Sequence, residues 1–134
     1  MNGYGNFVRL KITLGSDSTS EIQELYKLFP DRVWSPGDMR PNTKIIEKNI
    51  GCIFSSGLEK EASLDQHLAA LLLRTKSVAA TIKGLSEQNT VEVWCAIYTR
   101  GAPPLFFDNN IVEGIANLGA NFDIDLYLLP EKEV

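Results

Sequence analysis

The chain has 134 residues, of which 44% are hydrophobic and 22% charged; that is one globular domain, with enough surface to bury that it needs no disulfide or metal. Its 13 Lys+Arg against 17 Asp+Glu leave a net charge of −4, which argues against a general binder of nucleic-acid backbones. No apolar run approaches the ~20 residues that span a bilayer, and the first residues lack the basic and apolar regions of an export signal, so a cytoplasmic chain is expected, with neither nucleic acid nor membrane as its partner.

Residues 7–14 alternate, with Val8, Leu10, Ile12 and Leu14 on one side and Phe7, Arg9, Lys11 and Thr13 on the other, as in a half-buried strand. Ser18 and Glu21 read as a capping box ahead of Ile22, Leu25 and Leu28, in a helix that Pro30 stops. Residues 30–43 form the longest irregular stretch, holding three prolines and anchored by Trp34. Residues 44–54 read as a second strand with an irregularity at Gly51. Ser63 and Gln66 make another capping box and open the longest helix, in which Leu64, Leu68, Leu71, Thr75, Val78, Ile82 and Leu85 form one continuous stripe. In a third strand, residues 90–99, Val91, Val93, Cys95 and Ile97 oppose Glu92, Trp94, Ala96 and Tyr98. Asp108 or Asn109 caps a short helix closed by Gly119. Residues 121–129 are the last strand, with Phe122, Ile124, Leu126 and Leu128 alternating with Asp123, Asp125 and Tyr127, and 130–134 are a frayed acidic tail. The order β-α-β-α-β-α-β, with strands apolar on one face only, predicts a single α+β domain over 1–134. It is expected to be a two-layer sandwich: a four-stranded mixed sheet with helices on one face, an expanded ferredoxin-like plan.

Several segments in this order resemble one family. They are Phe29-Pro30-Asp31-Arg32-Val33-Trp34-Ser35-Pro36-Gly37-Asp38, Ile53-Phe54-Ser55-Ser56, Leu64-Asp65-Gln66-His67-Leu68, Leu118-Gly119 and Asp123-Ile124-Asp125-Leu126-Tyr127. Together they resemble the bacterial family of domains of unknown function numbered 4279, over nearly the whole chain. That family's strand often carries a tryptophan after its glycine; this chain has Cys52 after Gly51, so no role for that tryptophan transfers. The resemblance implies a compact bacterial domain and assigns it no activity.

No nucleophile elbow, phosphate loop, dinucleotide fingerprint or zinc-protease helix occurs. Cys52 and Cys95 read as two buried thiols, and with a single histidine, His67, they are too few for a zinc site. No cofactor and no metal is expected. His67 reads as a neutral ring at the core edge; the alternative is a small enzyme using His67 with Asp38 or Asp65 as acid or base. Trp34 with Asp38 and Arg40 either locks the irregular stretch or rims a cleft. On the sheet face without helices, Arg9, Lys11, Trp94, Tyr98, Asp123, Asp125 and Tyr127 are candidates for a binding platform. Asp123 and Asp125 either pair with Arg9 or Lys11, hold a divalent cation or act as an acid/base pair. Residues 108–134 carry one basic and six acidic side chains, so the acidity sits at one end and favours a basic protein surface. The leading expectation is a non-enzymatic protein-binding module, in a specific form an immunity-type neutraliser of a toxin, with homodimerisation through the open face as a further possibility.

Overall fold

The structure is a computed structural model and describes residues 4–15 and 19–130. The Ser18–Glu21 capping box and the tail beyond Pro130 lie outside the described residues. Strand β1, Gly5–Thr13, buries Val8, Leu10 and Ile12 and leaves Phe7 and Arg9 exposed, the two-residue period of a strand with one wet face. Helix α1, Thr19–Tyr26, buries Leu25. Phe29, barred from the helical region by Pro30, takes φ 57 just after the helix ends.

Residues 30–43 are not irregular throughout, which is a first correction. Arg32–Trp34 forms strand β2, inside the stretch expected to be irregular. It pairs antiparallel with β3, Gly51–Ser55, through Arg32↔Ile53 and Trp34↔Gly51. Three residues show too little alternation to reveal a strand; pairing with a partner far along the chain makes it one. The strand expected from residue 44 starts only at Gly51. The intervening chain is instead a hairpin-like excursion, in which Gly37 N–H donates to the Glu47 carbonyl (2.9 Å), Glu47 N–H to Asp38 (2.8 Å) and Arg40 N–H to Ile45 (2.8 Å). Gly37, at φ +95, makes the turn into it.

Helix α2, Leu64–Thr75, opens with the expected capping box: Gln66 N–H donates to Ser63 Oγ, and Ser63 N–H to Gln66 Oε1. The single long helix is a second correction. A 3-10 turn, Lys76–Val78, separates α2 from α3, Ala79–Ser86. The Thr75 hydroxyl donates back to the Leu71 carbonyl at 3.0 Å, a bond of the kind that bends helices. The apolar stripe survives the break: Leu68, Leu71 and Ile82 are all fully buried.

Strand β4, Thr90–Thr99, pairs with β1 along its length, and α4, Asn109–Asn117, follows with Asp108 as its cap, accepting from Ile111 N–H at 3.0 Å. Strand β5, Asn121–Leu128, closes the sheet. The strand order is β2-β3-β1-β4-β5, antiparallel except for the parallel β4–β5 pair. The fold is thus a two-layer α+β arrangement with a mixed sheet of five strands rather than four, and it does not follow the ferredoxin-like plan closely. Leu25, Leu68, Leu71, Ile82 and Ile115 from the helices join Leu10, Phe54, Val93 and Cys95 from one sheet face in a single core, and among the described residues the other face has no helix layer. Cys52 and Cys95 are free and buried in that core, which pushes both thiols up to about 12. No helix among the described residues is long and apolar enough to cross a membrane.

Candidate functional site

Strand alternation puts Arg9 and Lys11 of β1, Arg32 and Trp34 of β2, Ile53 of β3, and Glu92 and Trp94 of β4 on the face away from the helices. The excursion between β2 and β3 adds Arg40, Pro41, Asn42 and Glu47, and together these residues line a cavity of about 650 Å³, within the range of ligand sites.

Trp34 forms one wall. It is only 4% exposed although it faces away from the core. The indole lies directly on Gly51: a Cβ there would sit 2.6 Å from Trp34 Cζ2. The Arg32 guanidinium covers the ring at 4.4 Å and Lys11 Nζ stands 5.9 Å from its centroid, so cations gather over the aromatic face. Glu47, 7% exposed, anchors the excursion by accepting from Arg40 Nε and Nη2, both at 3.2 Å, with Arg32 Nη2 at 3.7 Å. The Arg40 hydrogen bonds, helped by the charges of Arg40, Arg32 and Lys11, hold the Glu47 carboxyl below its ordinary range despite burial. Of the expected trio, Trp34 and Arg40 do line a cleft. Asp38 does not; it accepts from Ser35 N–H at 2.7 Å and closes the turn.

Trp94 forms another wall, its N–H donated to Asp125 Oδ2 at 2.5 Å across the β4–β5 pair. Asp123 and Asp125 pair with neither Arg9 nor Lys11, because β4 lies between the strands that carry them. No cluster of His, Cys, Asp and Glu suited to a metal occurs among the described residues. Tyr98 and Tyr127 stack at 4.6 Å with 12° between the rings, and Phe7 meets Tyr98 edge-on at 5.8 Å. This aromatic ladder crosses β1, β4 and β5 at the far end of the open face.

His67 is 2% exposed, its Nδ1 2.6 Å from Ser56 Oγ, and no carboxylate among the described residues bonds to it. It lines neither the large cavity nor a second one of about 490 Å³ beside Tyr98. Burial pushes its pKa down and keeps the ring neutral. The pairing of His67 with Asp38 or Asp65 is therefore corrected: the ring ties the end of β3 to α2 from inside the core.

The sequence reading gives Arg74 no role and Asp31 only a place in the family-like segment of residues 29–38. Arg74 donates to both Asp31 oxygens at 2.7 Å, and Ser55 N–H donates to Asp31 at 2.6 Å. The Arg74 hydrogen bonds come first among the causes that lower the Asp31 pKa to about 2. A lowered carboxylate stabilises the fold above its unfolded pKa, near 4, and loses that contribution as the pH falls towards 2. The pair is 31% and 41% exposed, so screening limits it to about 1 kcal/mol. In urea melts, Asp31→Asn is expected to be less stable than the parent by that amount at pH 7, with the gap closing by pH 2. A gap independent of pH would show that the carboxylate charge is not what stabilises.

No curated protein and no solved structure matches the chain. One family does, and it covers β1 through β5: over residues 4–129 the chain matches "Domain of unknown function (DUF4279)", and it belongs to that family.

Proposed function

We propose that the chain is a protein-binding module, working in the bacterial cytoplasm, whose contact surface is the open face of the sheet. The observation that carries this reading is the face itself: among the described residues no helix layer covers one side of the five strands, yet that side holds a cavity walled by both tryptophans and four cations, beside an aromatic ladder. Tryptophan, tyrosine and arginine are the residues that dominate protein contacts. The Asp123–Asp125 row along β5 repels a continuous phosphate backbone, which supports a protein partner over nucleic acid. In the narrower form of the proposal the partner is a toxin that the module neutralises.

The test is quantitative affinity purification from the cells that make the protein, comparing it with Trp94→Ala/Tyr127→Ala. A stoichiometric partner that falls at least about tenfold with the variant is expected. Identical partner lists from both proteins would overturn the reading, and size-exclusion chromatography distinguishes a second copy of the chain from a different partner.

A further inference from the structure

Four cations line the large cavity: Arg9, Lys11, Arg32 and Arg40. The carboxylates in the same wall are Glu47, Glu92 and Asp31, and Asp31 is already occupied by Arg74 from outside the cavity. The cavity therefore carries a surplus of two positive charges in a protein that is acidic as a whole. Among the described residues neither Arg9 nor Lys11 forms an ion pair. Glu47 already shows how this wall holds a carboxylate, with two guanidinium groups converging on it.

From this charge pattern we infer that the cavity receives an acidic side chain, Asp or Glu, of the partner protein, flanked in the partner by apolar residues. The inference rests on the binding-module reading and specifies its chemistry. Arg9 and Lys11 supply the free positive charge, while Trp34 and Trp94 supply low-dielectric walls that strengthen the pairing. Met39 and Ile46, exposed and bridged across the excursion, adjoin Arg40 and Glu47 in sequence without lining the cavity themselves, and offer apolar contact outside it. The acidic row of β5 on the same face explains why the occupant is a short acidic segment and not a polyanion. A strand-long run of negative charge would leave the cavity and meet Asp123 and Asp125.

The experiment pans a phage-displayed library of random dodecapeptides against the folded chain. The expected winners carry Asp or Glu beside an apolar residue. Their affinity is expected to fall at least about tenfold with Arg9→Glu, less with Arg9→Gln, and to weaken as salt rises from about 0.05 to 0.5 M. Asp123→Asn is expected not to weaken it. Arg9 is exposed, so its variants are expected to melt with the parent; Lys11→Gln repeats the test should Arg9→Glu unfold. Basic or neutral winners, acidic winners indifferent to both variants, or no enrichment at all would each overturn the acidic-anchor inference. So would displacement of the winning peptide by inorganic phosphate or oligo-deoxythymidine at lower concentrations than by glutamate. None of these outcomes bears on the affinity purification above, which decides the module reading separately.

Discussion

Trp34→Ala is expected to cost about 3–5 kcal/mol of stability, the range for removing a buried aromatic side chain. The indole is almost wholly buried even though it sits on an edge strand and faces away from the core. It is covered by Arg32 and Lys11 and rests on the backbone at Gly51, so truncation opens a void that rigid strands cannot collapse into. For a chain of this length such a loss corresponds to a fall in Tm of about 10–20 °C. Thermal melts followed by circular dichroism, with a urea series for the free energy, check this. A loss below about 1 kcal/mol would mean that the Arg40–Glu47 pair and the backbone bonds of the excursion hold that wall by themselves.

The second large effect comes from the other side of the same contact. Gly51→Ala is expected to cost about 1–3 kcal/mol by overpacking. The new methyl would stand 2.6 Å from Trp34 Cζ2 and 2.7 Å from the Ile12 carbonyl oxygen, and neither is the free end of a flexible side chain. The two substitutions share one contact, so they are not expected to add. With Trp34 already truncated, the indole clash disappears and only the Ile12 clash remains, so Gly51→Ala should cost less in that background. Strictly additive values from urea melts of the two single variants and the double variant would show that the backbone clash alone sets the cost.

These two residues show how far the fold was legible along the chain. The alternation of Val8, Leu10 and Ile12, the Ser63–Gln66 capping box and the Asp108 cap all act over a few neighbouring residues. A linear pattern reports them, and the structure places them as expected. Trp34 was visible as the anchor of its stretch, but its seat was not, because Gly51 becomes its neighbour only when β2 joins β3. Glu47 gave no signal, being one carboxylate among many until the excursion folds back and brings Arg40 and Arg32 to it. Arg32 was within reach: the alternation Arg32-Val33-Trp34 places it beside Trp34 on one face, and only the brevity of the run hid it. The break after Thr75 was missed because the apolar stripe crosses it without interruption.

The sequence by itself determined the α+β class, the helical and strand faces of most elements, the two buried thiols and the likeness to a family that matches residues 4–129. These are properties of local period and composition. It also showed that the acidity gathers in residues 108–134, from which an acidic recognition surface followed. Tertiary structure decided where that charge acts. Inserting β4 between β1 and β5 keeps Asp123 and Asp125 away from Arg9 and Lys11 and turns Asp125 towards the Trp94 indole. Arg9 and Lys11 then share a cavity with Arg32 and Arg40 at the opposite side of the sheet. A chain that is acidic in sum thus carries a face that is basic at one edge and acidic at the other. The physical reason is that strand order, which sets the distances between charges, depends on pairings between distant residues that no local pattern records.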